Sequence, residues 1–260
     1  MRPLIRKFER PDFVSVSTAC IRFYEELNDF LPPSRRKAHY AIGFQGTPSV
    51  KSLIEGEGVP HTEVEMVLVN GNPVTFRTKI RDGDRISVYP VFESMDVTPV
   101  NVTRSKPLRE PKFILDVHLG KLARYLRMMG FDTLYAKDYN DLDLVKISVT
   151  EKRCILTRDR KLLMRKEVER GYWIRSGSVT EQVSEVIRRL DLKHATRFFS
   201  RCTRCNGDLE VVDDQEVLAV FPGYRFFPGT GFCRCENCRH IYWNGSHCKR
   251  FAERILKVLE

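Results

Sequence analysis

The sequence predicts an α/β protein made of a small mixed-sheet domain, a parallel sheet flanked by helices, and a C-terminal metal-binding module. Three observations indicate this. A hairpin signal surrounds Asn70-Gly71, short apolar runs alternate with helical patterns after residue 113, and two Cys-x-x-Cys pairs follow residue 200. Strands separated by helices of this length imply right-handed crossovers and therefore a parallel sheet.

The N-terminal part of the chain carries strand patterns around one well-marked helix. Ser49 is placed to cap a helix that starts at Val50, and two β-rich runs flank Asn70-Gly71. A shorter helix is expected in residues 25–31. Strands are expected in residues 19–24, 37–44, 64–69, 72–76 and, after a turn, 82–92. This ββαββ-like order predicts a ubiquitin-like β-grasp domain over residues 1–95.

The middle of the chain begins with a linker and continues as alternating strands and helices. Residues 96–112 contain three prolines and little periodicity, which is typical of a linker. Residues 113–195 are predicted to form the parallel-sheet domain. Its strands are expected in residues 113–116, 132–136, 153–157 and 172–175, and its helices in residues 118–129, 142–152, 161–170 and 179–190. Asp141 is placed to cap the second of these helices.

The C-terminal cysteines are the most specific pattern in the chain. Cys202, Cys205, Cys235 and Cys238 form two pairs with 29 residues between them. Four thiolates are what a tetrahedral Zn²⁺ needs in a closed structural site, whereas a catalytic zinc keeps one position open for water. Disulfides are the alternative, but thiols of the cytoplasm stay reduced. Residues 196–260 are therefore predicted to be a zinc ribbon, with a small hairpin between the pairs, and a C-terminal tail.

Charge and composition narrow the functional classes. The formal net charge is +10, and the excess lies in residues 101–200, which hold 22 basic and 13 acidic side chains. A basic segment attracts polyanions such as nucleic acid, although a solvated surface without a specific partner is the alternative. No apolar run is long enough to span a membrane, no apolar signal segment follows the N-terminus, and no glycine-rich nucleotide motif occurs. We therefore expect a cytoplasmic protein without a membrane partner or a nucleotide cofactor.

Acidic side chains mark the carboxyl ends of the predicted parallel strands. Asp116 closes the first strand, Asp159 follows the third, and Asp141 begins the helix between them. Active sites of open parallel sheets lie at this edge, so these carboxylates are expected to meet there. Carboxylates brought together repel one another unless a cation neutralises them, and Mg²⁺ or Mn²⁺ prefers oxygen ligands. Helix capping is the alternative for Asp141 and Asp159.

Basic side chains surround these acids in the sequence. Cations beside an acidic metal site suit a phosphodiester substrate better than a neutral one, because guanidinium and ammonium groups bind phosphate. An ordinary solvated helix face is the alternative for each residue. The candidates for contact with nucleic acid are Arg124, Arg127, Arg158, Arg160 and Lys161.

Several stretches of the chain resemble a known family. The run FILDVHLGKLARYLRMMGFDTLYAKD, the later CILTRDRKLL, and the tail CTRCNGDL with CRCENCRHIYWNGSH resemble the Mut-seven C-terminal ribonuclease family. The resemblance implies a PIN-type nuclease domain followed by a zinc ribbon. The N-terminal part is similar to the ubiquitin-like domain often fused ahead of it, notably in PSVKSLIEGEGVPHTEVEMVLVNG and DGDRISVYPVFE.

The resemblance also implies an activity, namely metal-dependent cleavage of single-stranded or structured RNA. The PIN-type acids would fall on Asp116, Asp141 and Asp159, with Asp143 competing for the middle position. The fourth acid of larger PIN domains has no clear match. Carrier relatives of the N-terminal domain end in Gly-Gly, whereas this chain continues as YPVFESMD. We therefore expect the domain to be an adaptor that docks a protein partner.

Two functions from different classes follow from these patterns. The first is a ribonuclease that uses Mg²⁺ or Mn²⁺ held by the acids. The alternative is a non-catalytic RNA-binding factor that uses its zinc ribbon and basic surface, with a degenerate PIN-like domain. A small-molecule phosphatase is disfavoured, because Asp116-Val117-His118 lacks the second acid of a D-x-D nucleophile motif.

Overall fold

The structure of the chain is a computed structural model that describes residues 16–90, 103, 111–220, 231–243, 245, 251, 253 and 255. Most of the predicted linker, 96–112, lies outside the described residues. The described residues divide into two units by their contacts. Residues 16–59, 64–90 and 103 belong to the first unit, and residues 60–63 and those from 111 onward belong to the second.

The first unit is a five-stranded mixed sheet with one α-helix. Its elements are β1 Ser17–Phe23, β2 Tyr40–Phe44, α1 Val50–Gly56, β3 Val64–Val69, β4 Asn72–Val74 and β5 Arg85–Pro90. The strand order is β2-β1-β5-β3-β4, in which β1 and β5 are parallel and the other neighbours are antiparallel. This arrangement confirms the predicted ubiquitin-like β-grasp fold.

Local sequence explains where the elements of this unit begin and end. The Ser49 hydroxyl accepts a hydrogen bond from Ser52 N at 3.2 Å, which confirms the predicted helix cap. Asn70 and Gly71 have φ angles of 51° and 85°. These left-handed values suit the tight turn of a hairpin, and both residue types adopt them at low cost. The helix expected in residues 25–31 is a 3-10 helix, Glu25–Phe30.

The second unit contains a four-stranded sheet in which all neighbouring strands are parallel. The strands are β6 Phe113–Leu115, β7 Thr133–Leu134, β8 Cys154–Thr157 and β9 Gly171–Trp173, in the order β7-β6-β8-β9. The helices that connect and follow them are α2 Gly120–Met128, α3 Asp141–Glu151, α4 Arg160–Leu163 and α5 Val179–Arg189. Of the described helices, none is long and apolar enough to cross a membrane.

Helices cover both faces of the parallel sheet. One apolar cluster joins α2 and α5 with Phe113 and Leu115 of β6, and a second joins α3 and α4 with Ile114 and Ile155. Successive residues of β6 therefore point to opposite faces, as they must in a strand. Because both faces are buried, the strands are mostly apolar, and the carboxyl edge of the sheet is left for polar side chains.

The cap of α3 and the end of α4 differ from the predicted ones. The side chain of Asn140 caps α3 by accepting from Leu142 N at 2.8 Å, so Asp141 is the first helical residue and not the cap. Helix α4 ends at Leu163, although the sequence predicts a helix over residues 161–170. The next buried apolar residue, Val168, lies five positions after Leu163. A helix would turn a residue at that spacing away from the core.

The C-terminal part of the second unit is a three-stranded antiparallel sheet. Its elements are β10 Leu209–Val212, α6 Asp214–Val220, β11 Phe232–Cys235 and β12 Ile241–Trp243, with the strand order β10-β11-β12. Val212, Val217 and Phe232 form its small apolar cluster. A core of this size stabilises a module only weakly, which is the situation in which proteins use a structural metal.

Candidate active site and metal centre

Asp116 follows the last residue of β6, at the carboxyl edge of the parallel sheet. It is buried, with 6 % of its surface exposed. Its Oδ1 accepts a hydrogen bond from His118 N at 2.9 Å. Its Oδ2 accepts from Arg158 N at 3.1 Å and from the hydroxyl of Thr157. These three donors fix the orientation of the carboxylate and offset the cost of removing it from water.

Thr157, the last residue of β8, connects Asp116 to the second predicted acid. Its hydroxyl donates to Asp116 and accepts from Asp159 N at 2.9 Å, and the residue is fully buried. Asp159 caps α4, because its Oδ1 accepts from Lys161 N at 2.8 Å. The capping interpretation is therefore confirmed for Asp159, but it occupies only one of the two carboxylate oxygens.

Asp116 and Asp159 line the same open cavity, together with His118 and Arg158. The cavity has a volume of about 530 Å³. It forms where β6 and β8 end, and these two strands are parallel neighbours in the sheet. Two carboxylates from distant parts of the sequence thus face one space, beside an arginine and a histidine that can donate hydrogen bonds to an anion.

Asp141 is not among the residues that line this cavity. Its Oδ2 lies 3.6 Å from Nη2 of Arg165, so the two side chains form an exposed ion pair. The competing acid, Asp143, closes the capping box of α3, since its Oδ2 accepts from Asn140 N at 3.1 Å. The structure therefore brings together two of the three predicted acids and leaves the third in an ion pair.

Four of the basic residues predicted to contact nucleic acid are at least partly accessible. Arg158 lines the cavity, and Arg124 and Lys161 are exposed. Arg160 is partly exposed, and its guanidinium carbon lies 3.9 Å from the ring centroid of Trp173. Arg158, Arg160 and Lys161 follow one strand end, so their charges are concentrated at the carboxyl edge of the sheet.

Arg127 differs from the other four, because it is buried with 4 % of its surface exposed. Its Nε donates to Thr133 O at 2.8 Å, and its Nη1 donates to Thr203 O and Arg204 O at 3.2 and 3.0 Å. Arg127 thus ties α2 and β7 to the loop of the first cysteine pair. A side chain committed to three internal carbonyls is not placed for the predicted contact with nucleic acid.

The four predicted cysteines form one cluster. Their Sγ atoms all lie within 4.8 Å of one another. The distance between Cys202 Sγ and Cys238 Sγ is 3.6 Å, and that between Cys205 Sγ and Cys235 Sγ is 3.4 Å. Tetrahedral ligands at a Zn–S distance of about 2.3 Å are separated by about 3.8 Å. The cluster therefore fits a zinc ion, and among the described residues it is the one group of three or more ligating side chains close enough to share a metal.

Hydrogen bonds prepare this cluster for a metal. The hydroxyl of Tyr242 lies 3.1 Å from Cys202 Sγ and accepts from Thr203 N at 3.1 Å. Burial raises the pKa of the Cys202 thiol, but hydrogen bonds from Tyr242 and from the backbone of Cys205 and Arg204 outweigh it and lower the pKa to about 6. Because the thiolate is the form that binds zinc, these bonds favour metal binding at neutral pH.

Asn206 joins the cysteine cluster to the edge of the parallel sheet. Its Oδ1 accepts from Thr133 N at 2.9 Å, and its Nδ2 donates to Asp132 Oδ1 at 2.8 Å. Asp132 in turn pairs with Arg153 at 2.6 Å. The Asn206 φ angle of 69° is left-handed, which asparagine tolerates better than most residues. The edge strand β7 is therefore covered by the zinc ribbon.

Three residues that organise these sites are absent from the sequence-based candidates. Thr157 is a hydroxyl at the end of an apolar strand, a position where a buried polar group needs a partner. Asn206 directly follows a cysteine pair, where a left-handed residue often ends the turn. Tyr242 carries no such signal, because its contact with Cys202 depends on a strand register that the sequence does not specify.

A parallel sheet with acids at its carboxyl edge, followed by a four-cysteine ribbon, defines an α/β domain joined to a module that can hold a structural metal. Comparison with protein families gives two matches: the Mut7-C RNAse domain over residues 111–255 and the Mut7-C ubiquitin domain over residues 16–96. The chain therefore belongs to the Mut7-C ribonuclease family, which confirms the resemblance found in the sequence. No curated protein matches the chain.

Proposed function

We propose that the protein is a ribonuclease that hydrolyses RNA phosphodiester bonds with the help of Mg²⁺ or Mn²⁺. The observation that carries the proposal is the cavity in which Asp116 and Asp159 meet beside Arg158. Asp116, Asp141 and Asp159 are the proposed metal-binding acids. Asp141 would have to exchange its exposed ion pair with Arg165 for the metal, and an exposed pair of this kind is weak.

The donors in the cavity suit a hard cation. A carboxylate offers about four lone pairs, and Asp116 uses three of them to accept hydrogen bonds. Asp159 uses Oδ1 to cap its helix, and its Oδ2 remains for a ligand role. When bound, Mg²⁺ or Mn²⁺ supplies a Lewis acid for a phosphate oxygen and lowers the pKa of a coordinated water.

The residues of the chain have separate roles in this proposal. Thr157 holds Asp116 and the backbone of Asp159 in a fixed relation through one hydroxyl. Arg158 binds a phosphate oxygen at the cavity and offsets the charge of the acids. Lys161 and Arg124 add exposed positive charge that attracts the RNA backbone. The four cysteines hold structural zinc.

A second candidate function is supported by a specific observation. Asp141 is paired with Arg165, and no three carboxylates of the described residues share a site. A protein whose acids serve only to fix helix ends and strand ends would bind RNA without cutting it. In that case the protein is a non-catalytic RNA-binding factor with a degenerate PIN-like domain, and its ubiquitin-like unit is an adaptor.

A cleavage assay separates the two candidates. Zinc-loaded protein is incubated with end-labelled RNAs of different structure, with Mg²⁺, with Mn²⁺, or without either. The ribonuclease proposal expects fragments only when one of these metals is added. RNA that is bound but remains intact under every condition would favour the non-catalytic factor and refute the proposal.

For the ubiquitin-like unit we propose docking of a protein partner. The support is the β-grasp sheet together with the sequence VFESMD after β5, which carries no Gly-Gly for conjugation. Residues 91–96 lie outside the described residues, so the proposal depends on the sequence there. To test this role, the tagged full chain and a tagged chain without residues 16–90 are purified from cells. A partner protein should co-purify only with the full chain.

Substitution of Thr157 tests how the two acids are held. Thr157→Val removes the hydroxyl that serves both Asp116 and Asp159, and we expect cleavage to fall about 10–100-fold, as for other residues that orient metal ligands. Thr157→Ser keeps the hydroxyl and should retain activity within a few-fold. Initial rates and the Mn²⁺ concentration at half-maximal rate are measured for both. Equal rates for the Val and Ser variants would contradict the role.

Arg127 and Arg124 form a matched pair on α2. Arg127→Met leaves internal carbonyls without donors, so we expect a loss of about 2–4 kcal/mol in the free energy of unfolding. Arg124→Met is exposed and should change stability by less than about 0.5 kcal/mol. It should weaken RNA binding and reduce the salt slope by about one. Thermal unfolding and RNA binding at several salt concentrations are measured for both variants. A large loss of stability in Arg124→Met, with little loss in Arg127→Met, would contradict these assignments.

A further inference from the structure

Trp173 stands at the same edge of the parallel sheet as the acids. It is the last residue of β9 and lies directly beside Thr157 in the parallel register of β8 and β9. Thr157 is the residue whose hydroxyl holds Asp116. Neighbouring strands are about 4.8 Å apart. The indole is therefore one strand away from the cavity, on the side where Arg158 and Asp159 leave β8.

The Trp173 ring is fixed in this position by polar contacts as well as by packing. Its Nε1 donates to Arg158 O at 3.2 Å, which ties the ring to a residue of the cavity. The guanidinium carbon of Arg160 is 3.9 Å from the ring centroid, and that of Arg175 is 5.0 Å from it. Both distances are within the range of cation–π attraction. Arg160 and Trp173 are each partly exposed.

A role in the apolar core accounts for only part of this arrangement. Trp173 does pack against the cluster that contains Ile114 and Ile155. Arg175 is compensated by Glu185, 3.8 Å away, so it serves the structure. The core does not explain why Arg160, the residue after Asp159, lies over the indole next to the cavity. A guanidinium backed by an aromatic ring is a flat, positively charged surface, and nucleobases stack on both groups.

We propose that Arg160 and Trp173 form a stacking subsite for one unpaired nucleobase, next to the cavity that contains Asp116 and Asp159. The identity of the polymer as RNA rests on the proposed function, whereas the subsite itself rests on the geometry of β8, β9 and α4. Arg160 contacts the base with its plane, and Trp173 holds that plane in place. A base stacked there positions the neighbouring phosphate at Arg158.

The chain has two tryptophans, so one substitution isolates the signal of this site. In the Trp243→Phe protein, Trp173 is the sole source of indole fluorescence. We expect a 12-residue oligoadenylate to quench this fluorescence and saturate, and to bind several-fold more tightly than the matching oligouridylate, because purines stack more strongly. Zinc-loaded protein is used without added Mg²⁺ or Mn²⁺, so the measurement does not depend on cleavage.

Conservative and non-conservative variants distinguish stacking from simple charge attraction. Arg160→Lys keeps the charge but loses the plane. We expect it to lose about 10-fold in affinity for oligoadenylate and to lose the preference over oligouridylate. Trp173→Phe, which retains an aromatic ring for packing, should lose less affinity for oligoadenylate than Arg160→Lys. Lys161→Ala removes a neighbouring exposed charge and should weaken both oligonucleotides equally, with the preference unchanged.

The possible results separate this subsite from the proposed nuclease activity. Wild-type affinity and preference in Arg160→Lys would overturn the subsite and would indicate a phosphate contact instead. Oligonucleotide binding that leaves the Trp173 fluorescence unchanged would also overturn it. Quenching with purine preference in a protein that never cleaves RNA would support the subsite while refuting the ribonuclease proposal.

Discussion

The Asp116→Asn protein is expected to lose RNA cleavage by about 1000-fold or more, because removal of a metal-binding carboxylate withdraws several kcal/mol of charge stabilisation. The side-chain amide of asparagine would also place an N–H donor opposite groups that are themselves hydrogen-bond donors. Thr157, Arg158 N and His118 N all donate to the carboxylate. We therefore also expect the free energy of unfolding to fall by about 1–3 kcal/mol.

The assay for this variant needs a control that removes one negative charge elsewhere. Asp191→Asn is suitable, since Asp191 is exposed and has a φ angle of 48°, which asparagine also adopts readily. The control should cleave RNA at the wild-type rate. Cleavage and thermal unfolding are measured at a temperature where both variants are folded. A folded Asp116→Asn protein with wild-type, metal-dependent activity would contradict the assignment of the site.

Loss of one zinc ligand is expected to destabilise more than the ribbon itself. Cys205→Ala should abolish stoichiometric zinc binding, because a closed structural site requires all four ligands. The loop of the first cysteine pair would then no longer hold its shape. Arg127 would lose its acceptors Thr203 O and Arg204 O in that loop. Asn206, which directly follows the cysteine pair and is also buried, would lose its contact with Thr133 of β7. We expect stability to fall by about 3 kcal/mol or more, or roughly 10 °C in melting temperature.

The effect should extend to a defined part of the parallel-sheet domain. Hydrogen exchange should increase at β7 and at the C-terminal end of α2, where Thr133 and Arg127 contact the ribbon. Cys233→Ala is the matched control, because Cys233 lies in the same strand as Cys235 but outside the four-thiol cluster. It should retain zinc and leave exchange at β7 unchanged. Increased exchange confined to residues 201–243 would contradict the proposed link between the ribbon and the sheet.

The sequence was sufficient for the larger features of the fold because each depends on local patterns. Asn70-Gly71 specifies a hairpin turn, Ser49 specifies a helix cap, and the alternation of strands and helices specifies a parallel sheet. The same reasoning predicts that Asp116 and Asp159 meet at one edge of the sheet, since strand ends in a parallel sheet share an edge, and both line one cavity. Cysteine spacing alone predicted the four-thiol cluster.

Other features depend on packing that the sequence does not reveal directly. Asp141 was expected among the acids, but its direction depends on how α3 approaches the sheet, and Arg165 holds it instead. Arg127 was expected on a basic surface, although it lies four positions after Ala123 on the apolar face of α2. That spacing can be read from the sequence, and it indicates a buried position for Arg127. A buried arginine at such a position requires internal acceptors, and the ribbon carbonyls that supply them are far away in the sequence.

The extent of α4 shows a similar limit. Apolar residues are frequent enough in residues 161–170 to suggest a helix, yet the chain turns after Leu163 so that Val168 can reach the core. Thr157 is a further case, because its importance follows from the β6–β8 pairing that places it beside Asp116. Local sequence propensity indicates where helices and strands form. Tertiary contacts decide where they end and which partners their polar groups have.

Anomalous scattering from a crystal of the zinc-loaded protein soaked in Mn²⁺ shows directly whether Asp116 and Asp159 bind one metal ion. We expect a manganese peak in the cavity, coordinated by Asp116 and Asp159, in addition to the zinc at the four cysteines. Absence of manganese from the cavity at saturating concentration, with both carboxylates ordered and accessible, would refute a metal site at these acids.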